Sequence, residues 1–342
     1  MRLVRVLLFK ITNLVKFSIE VFVAQLQSTP VQLHWGSHRK EFGLSKYIID
    51  FVVEKSPDAF FSVQDPVIKS SENRHAFGDR AIYRLRNATF DPNTGYVFLG
   101  DLVVSESLAD GPGTHIRKLN ATRKIARRPV IGVPTQSHFH WLIETLPRII
   151  AAVTFEPDAL LVAPTNLSPV QRGALEMLGL EVQYSDARQY CDELILATRG
   201  RDTGWAHPHD VNLLRRTYDV PSEPGGERIF VSRSNSRRSD ENSLKIDRFA
   251  ASQGWTVVEA ERLGWRDHLL VFGKAAIVGG EHGAGLTNIV LAPGRSQLLK
   301  LMRPDWANPC YAVLSLVIND GTDFYQSADL LDFELVLTTS GG

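Results

Sequence analysis

Cysteine is scarce in this chain. Cys191 and Cys310 are the two cysteines in 342 residues, and neither lies in a Cys-X-X-Cys motif. Such usage excludes a disulfide framework and a thiolate zinc site. An excess of one charge is also absent, because Lys plus Arg number 38 and Asp plus Glu number 38. We therefore expect a reducing compartment, the cytoplasm, and no nucleic acid as partner.

Two motifs of nucleotide-binding enzymes are missing as well. No Gly-X-Gly-X-X-Gly follows a predicted strand at the start of an α/β unit, which argues against a dehydrogenase. No Asp-X-Asp occurs, the carboxylate pair that often holds a metal-bound diphosphate. A bound diphosphate would then be neutralised by arginines and backbone N–H groups, and we expect neither a metal nor another cofactor.

A long apolar run is missing from residues 1–27. Arg2, Arg5, Lys10 and Lys16 interrupt its apolar residues too often for a bilayer span or for the apolar core of a signal peptide. At helical spacing the apolar residues gather on one face, which predicts an amphipathic helix. This helix would lie on an anionic membrane surface or dock on the protein's own core, and an inefficient signal-anchor is the third possibility.

Apolar runs alternate with helical segments along most of the chain, which is typical of α/β layers with parallel strands. A hairpin of 81–88 and 96–104 around the turn 91–95 is the exception. The Pro- and Gly-bearing passage 199–227, with 221–226 as a linker, separates two halves. We expect two parallel-sheet domains, 28–220 and 221–342, facing a cleft, with ligands beyond the carboxyl ends of the strands.

Two polar loops follow predicted strands in the second half. A glycine-rich loop follows the strand 275–278 and leads into a helix expected to begin near Leu286, and an arginine-rich loop follows the strand 228–232. Backbone N–H groups and guanidinium forks together suit a diphosphate. The alternatives are a turn that needs glycine only for its dihedrals and a solvated arginine run. The candidate donor-binding residues are Arg233, Arg237, Arg238, Glu281, His282, Gly283, Ala284, Gly285, Leu286, Thr287 and Asn288.

A third cluster lies on a helix predicted over 139–152. His140, Glu144 and Arg148 recur every four residues and would share one face. A histidine held by a carboxylate is a competent general base, so the three are the candidate catalytic residues. The alternative is a buried polar network that pins the helix. Pro147 is expected to bend or end the helix.

These residues resemble glycosyltransferase family 61. The resemblance rests on three blocks: His140-Trp-Leu with Glu144 and Leu146-Pro-Arg148, the stretch Arg228 to Arg233 with Arg237-Arg238, and His282 to Asn288 with Pro293-Gly294. It implies a glycosyltransferase B fold of two Rossmann-like domains, with the acceptor on 28–220 and a nucleotide sugar on 221–342. It further implies an inverting enzyme of surface polysaccharide or capsule synthesis, with a UDP-sugar donor and a glycan or lipid-linked acceptor. Together with the amphipathic start, it suggests an enzyme peripheral at the inner membrane.

Two positions depart from the family pattern. Ser137 stands where relatives commonly carry Asn, and Lys300 stands where an acidic residue is usual. A lysine cannot accept the ribose hydrogen bond that an acidic residue accepts in enzymes of this fold.

Two other functions remain open from the sequence. A metal-dependent hydrolase would use His138, His140, Glu144, His207 and His209 as ligands. A non-catalytic nucleotide-sugar-binding subunit would bind the donor without turnover, and Lys300 is the residue that motivates it.

Overall fold

The computed structural model describes most of the chain from Ile48 onward. The described residues are 48–54, 60–62, 74–76, 80–99, 102–104, 123–125, 128–198, 204–223, 225–234, 241–302, 308, 310–319, 324–327 and 330–339. The helix expected over 1–27 lies outside them. No helix within these ranges is both long enough and apolar enough to cross a membrane.

The described strands begin with an antiparallel group and continue with short parallel strands. In chain order they are β1 (Ile48–Glu54), β2 (Phe60–Ser62), β3 (Arg74–Ala76), β4 (Arg80–Phe90), β5 (Val97–Leu99), β6 (Leu102–Val104), β7 (Arg123–Ile125), β8 (Val130–Gly132), β9 (Leu160–Ala163), β10 (Val182–Tyr184), β11 (Gln189–Ala197), β12 (Glu227–Val231), β13 (Thr256–Val258), β14 (Ala275–Glu281), β15 (Gln297–Leu301) and β16 (Phe324–Ser327).

The described helices begin next to β8. They are α1 (His138–His140), a π-helical turn (Trp141–Thr145), α2 (Leu146–Phe155), α3 (Pro169–Met177), α4 (Pro208–Thr217), α5 (Glu241–Ser252), a 3-10 turn (Ala260–Arg262), α6 (Trp265–Phe272), a 3-10 helix (Ala284–Leu291), α7 (Cys310–Asn319) and α8 (Leu330–Thr339).

The first half forms a mixed nine-stranded sheet. Its main order is β10-β9-β8-β11-β4-β5-β6, with β1 paired to β4 and β7 paired to β11. Strand β8 pairs parallel with β9 and with β11, and β9 pairs parallel with β10. Strand β4 instead pairs antiparallel with β11 and with β5. The predicted hairpin is confirmed for β4 and β5, whereas the second strand predicted over 96–104 is divided into β5 and β6, which pair antiparallel with each other. All three strands belong to the large sheet. Strands β2 and β3 form a separate antiparallel pair.

The second half forms a five-stranded sheet in which every pair is parallel. The order is β13-β12-β14-β15-β16. Helices cover both faces, since α5 and α8 pack on one face and α6 on the other. In this doubly wound order the connections leave β12 and β14 in opposite directions, which makes the gap between their carboxyl ends the topological switch point.

One buried cluster reaches from the first sheet to the second. It joins Ile131 and Leu161 of the first sheet to Val231 and Val278 of the second through the helices that lie between them. Trp265 of α6 is central, because its ring meets Tyr218 at a centroid distance of 4.8 Å. The mixed α/β architecture with two sheets agrees with the expected fold class. The domain bounds 28–220 and 221–342 stay a prediction.

Candidate active site

The arginine loop and the glycine loop lie side by side at the switch point. Ser232 and Arg233 directly follow β12, and Glu281 is the last residue of β14, where the sequence predicts a loop residue. Strands β12 and β14 are adjacent and parallel, so both loops leave the same edge of the sheet. Arg237 and Arg238 lie outside the described residues.

The glycines of this loop are required by close packing on β12. A Cβ at position 280 would lie 2.7 Å from the Val231 carbonyl oxygen, and one at position 285 would lie 2.6 Å from Val231 Cγ1. A Cβ on Gly283 would stand 3.0 Å from Arg233 Nε. Real Cβ atoms do not approach backbone oxygens this closely. The loop backbone therefore passes against the strand end in a way that only glycine permits.

Two side chains hold the loop carbonyls. The guanidinium of Arg233 donates a hydrogen bond to the His282 carbonyl oxygen. The hydroxyl of Tyr311 donates to the Gly283 carbonyl oxygen at 2.5 Å and accepts from Thr287 Oγ1 at 3.1 Å. Burial raises the pKa of Tyr311, so its hydroxyl stays protonated and remains a donor. With the carbonyls held, the backbone geometry of the loop is fixed.

The glycine-rich motif divides by exposure into two parts. Leu286, Thr287 and Asn288 are fully buried, whereas Ala284 is exposed. Glu281, His282, Gly283 and Gly285 are partly exposed. The first part of the motif can therefore reach a ligand, and the second part supports it from beneath.

The helix predicted to begin near Leu286 is wrong in type. The segment Ala284–Leu291 is a 3-10 helix, and no α-helix follows the loop. The side chain of Asn288 explains the tighter winding in part, because its Nδ2 donates to the Gly285 carbonyl oxygen three residues back at 2.9 Å. Arg215 of α4 holds the other end of this segment by donating to the carbonyl oxygens of Val290 and Ala292.

The candidate base and its carboxylate are in contact. His140 Nδ1 lies 2.9 Å from Glu144 Oε1, and the same oxygen accepts a hydrogen bond from the Gly204 backbone N–H. Glu144 is 4% exposed, so its charge is shielded from water. A carboxylate partner places the proton of the neutral imidazole on Nδ1, and Nε2 then carries the basic lone pair.

Arg148 extends away from that pair toward the sheet. Its Nε donates to the Ala197 carbonyl oxygen at 2.6 Å, at the carboxyl end of β11. The helix predicted over 139–152 is confirmed, but a π-helical turn, Trp141–Thr145, interrupts its α-helical winding. Pro147 gives the physical reason: it has no N–H, and its ring would clash with the carbonyl four residues back in a regular helix. The helix continues through Pro147 to Phe155.

Contacts that the sequence did not predict bring this helix against the glycine loop. His138 Nε2 lies 3.0 Å from Asn288 Oδ1, and the rings of Phe139 and Tyr311 meet edge to face at 5.6 Å. His282 packs edge to face on the same Tyr311 ring at 5.4 Å. The residues that sequence reasoning missed are thus His138 in this role, His268 and Tyr311. No local pattern marks Tyr311, since it contacts residues far away in the chain.

Lys300 is buried beneath the site. Its side chain is completely shielded from solvent, and Nζ donates to the Asn308 carbonyl oxygen at 3.1 Å. The ammonium also lies 5.6 Å from the centre of the Tyr311 ring, a cation–π geometry. Lys300 therefore supports the residue that holds Gly283, and its side chain is not exposed at the surface of the loop.

The five residues considered as metal ligands do not form a site. No group of three or more His, Cys, Asp or Glu side chains within the described ranges is arranged to hold a metal ion. His207 Nδ1 instead accepts the His209 backbone N–H, and its ring stacks on His209. The hydrolase built on His138, His140, Glu144, His207 and His209 is therefore wrong, because the side chains do not converge.

Comparison with known proteins identifies the chemistry. No curated protein matches the chain. The model of glycosyltransferase family 61 matches residues 138–299, which contain both switch-point loops, the His140–Glu144 pair and the contacts between them. The chain therefore carries a glycosyltransferase family 61 domain over residues 138–299, and the protein is a glycosyltransferase.

Proposed function

We propose that this glycosyltransferase binds a nucleoside diphosphate sugar at the carboxyl ends of β12 and β14 and transfers the sugar with inversion. The observation that carries the proposal is the position of the Arg233 and Gly283 loops at the switch point of a doubly wound parallel sheet. A guanidinium and a loop of closely packed backbone offer the fixed donors that a diphosphate needs.

The proposed step is a single displacement. The acceptor hydroxyl gives its proton to His140 Nε2 while its oxygen forms a bond to the anomeric carbon. The bond from that carbon to the diphosphate oxygen breaks, and its electron pair leaves with the nucleoside diphosphate. Attack from the face opposite the leaving group inverts the anomeric centre.

Each residue has a role in that step. Glu144 holds the tautomer of His140 and stabilises the imidazolium that forms. Arg233 and the amides of the glycine loop stabilise the charge that develops on the diphosphate. We assign Arg237 and Arg238 to the same anion site from the sequence alone. Leu286, Thr287 and Asn288, being buried, shape the loop instead of contacting the donor.

Metal independence belongs to the same proposal. The cationic charge at the site comes from arginine, and no Asp-X-Asp stands in the sequence. We propose UDP-sugar as the donor class and a glycan or lipid-linked saccharide as the acceptor, bound on the side of residues 28–220. The product would be a surface polysaccharide such as a capsule.

The first experiment is calorimetric titration of the purified protein with UDP, GDP, CMP and dTDP and with their sugars, in EDTA and in Mg²⁺. We expect one nucleotide class to bind equally well in both buffers. Arg233→Gln should weaken that binding at least tenfold, a loss in keeping with a charge-assisted contact. Arg216→Gln is the matched control, because Arg216 is an exposed arginine on α4.

The variant His140→Asn separates binding from chemistry. It should bind the nucleotide as the wild type does and transfer the sugar about 10² to 10⁴ times more slowly, the range of a lost general base. Absence of nucleotide binding in the wild type, or binding that requires Mg²⁺, would contradict the proposal.

Membrane recruitment is a separate part of the proposal. We propose that residues 1–27 bring a cytoplasmic enzyme to the anionic inner membrane, on the basis of their four cationic residues and their apolar face. Flotation with anionic vesicles should recover the full chain and lose the chain without residues 1–27. Equal flotation of the two forms would show that residues 1–27 do not recruit the protein to the membrane.

A further inference from the structure

Asn288 is the hydrogen-bonding hub between the helix that carries His140 and the glycine loop. Its Oδ1 lies 3.0 Å from His138 Nε2 and 2.8 Å from His268 Nδ1. Its Nδ2 donates to the Gly285 carbonyl oxygen. Asn288 and His268 are both fully buried and His138 is partly buried, so the contacts are largely shielded from water.

The chemistry of the amide fixes the direction of each bond. Because Gly285 presents an acceptor, Nδ2 must face it, and Oδ1 must then face the two imidazoles. His138 therefore donates from Nε2. His268 Nε2 also lies 2.9 Å from the Ala260 carbonyl oxygen, which can only accept, so His268 donates from Nδ1 as well when its ring is doubly protonated. Oδ1 has two lone pairs and can therefore accept from both imidazoles in that state.

His138 is the member of this hub that belongs to the first half of the chain. It lies in α1, two residues before His140, whereas Asn288 and Gly285 belong to the segment that follows β14. The edge-to-face contact of Phe139 with Tyr311 runs beside it, and Tyr311 in turn holds Gly283. The hydrogen bond thus ties the candidate base to the candidate donor loop through short, rigid connections.

We propose that His138 is a positioning residue whose hydrogen bond from Nε2 to Asn288 Oδ1 sets the alignment of His140 with a donor held at the Gly283–Gly285 loop. The consequence for catalysis rests on the proposed function. The link between the helix of His138 and the glycine loop, called the joint below, is the His138–Asn288 hydrogen bond itself. A small misalignment between base and donor lowers the transfer rate while the donor's own contacts are unchanged.

Two substitutions distinguish the hydrogen bond from the bulk of the ring. In the wild type the ring centroids of His138 and His268 lie 5.4 Å apart. His138→Phe keeps an aromatic ring at this position but removes the N–H donor. His138→Gln restores an N–H donor at similar reach. His209→Phe is the matched control, because the ring of His209 stacks on the neighbouring His207.

Amide hydrogen exchange tests the joint without any substrate. In the full-length protein, peptides that cover residues 283–291 should exchange about threefold to tenfold faster in His138→Phe, as expected for one lost hydrogen bond. His138→Gln and His209→Phe should exchange like the wild type. Unchanged exchange in His138→Phe, or equal acceleration in His138→Gln, would overturn the joint.

Steady-state kinetics tests the role in alignment, with the nucleotide sugar that the wild type turns over. His138→Phe should lower kcat about tenfold to a hundredfold and change the donor KM by less than about twofold. His138→Gln should recover kcat to within about threefold of the wild type. A raised donor KM with an unchanged kcat would overturn the positioning role.

The two failures are distinguishable. If the wild type binds no nucleotide, the proposed function fails, and exchange still decides whether the joint exists. If the wild type transfers sugar and His138→Phe has the same kcat, the positioning role fails and the proposed function stands.

Discussion

Glu144 is placed to act on His140 through charge as well as geometry. Its Oε1 accepts from both His140 Nδ1 and the Gly204 N–H. Glu144→Gln can keep both hydrogen bonds on the same atom and remove only the charge. We expect a kcat about tenfold to a hundredfold lower with unchanged nucleotide affinity, because the imidazolium formed in the transition state loses its counter-charge. Steady-state rates and calorimetric titration measure the two quantities.

The matched control is Glu156→Gln. Glu156 is another partly buried carboxylate, paired with Arg84 at the end of α2 and away from the His140 contact. Its kcat should stay within about twofold of the wild type. A Glu144→Gln enzyme that transfers at the wild-type rate would show that the charge has no part in the reaction.

The partial burial of His138 makes stability depend on pH. Desolvation, together with the nearby His268, lowers the pKa of His138 to about 4. The unfolded chain, with a histidine pKa near 6.5, binds the proton first. The contribution of neutral His138 to the free energy of unfolding is therefore complete above about pH 6.5 and is lost as the pH falls toward 4. Allowing for its partial exposure, we expect a loss of about 2 kcal/mol.

Urea unfolding of the wild type and of His138→Phe at pH 7 and pH 4.5 measures this effect. Carboxylates that titrate in the same range contribute equally to both proteins. The free energy of unfolding should therefore fall less in His138→Phe, by about 2 kcal/mol. Identical pH dependence in the two proteins would contradict the assigned burial of His138.

Among the elements, the 3-10 helix Ala284–Leu291 depends on α4. Arg215 is largely buried, and desolvation lowers its pKa to about 10, which leaves it charged at neutral pH. It donates to the carbonyl oxygens of Val290 and Ala292, which end the segment. Arg215→Ala leaves both acceptors without their donor, and we expect a loss of about 2 to 3 kcal/mol in the free energy of unfolding.

Arg216→Ala is the control at the neighbouring position. Arg216 is exposed, so its removal should change stability by less than about 0.5 kcal/mol. Urea unfolding of both variants gives the comparison. Equal losses would mean that the hydrogen bonds of Arg215 contribute nothing beyond those of a surface arginine.

The elements also show what the sequence could predict. The strands that carry the two loops, β12 and β14, lie where the apolar runs predict them, although β14 continues to Glu281. Helix α4 was missed inside the polar passage 199–227, because its apolar positions are few. The π-helical turn was missed because it depends on Pro147 and on a distant contact with Gly204.

Only part of the candidate site was predictable from the sequence. Parallel strands of known order place the Arg233 and Gly283 loops at one edge, so their proximity follows from local patterns. The bond between His138 and Asn288 spans 150 residues, and Tyr311 reaches Gly283 from a later helix. Such pairings depend on how the two sheets pack, which no periodicity in one segment specifies.

At the scale of the whole molecule, the shared core ties the two sheets together. Trp265 of α6 is 2% exposed and packs on Tyr218, and its Cβ lies 2.9 Å from the position that a Cβ on Gly173 of α3 would take. Residues on both sides of position 220 belong to this one cluster. Because neither half can lose these contacts without exposing the other, the two sheets should unfold together.

We therefore expect a single calorimetric transition in which the calorimetric and van't Hoff enthalpies agree. Trp265→Ala should lower that whole transition, at a cost of about 3 to 5 kcal/mol for a large buried side chain. Leu270→Ala on the same helix is the control, because Leu270 is 62% exposed and its loss should cost less than about 0.5 kcal/mol. Two separate transitions, of which Trp265→Ala shifts only one, would show that the sheets are independent. The spacing between His140 and the glycine loop would then depend on the local contacts of His138 and Phe139, and not on the core.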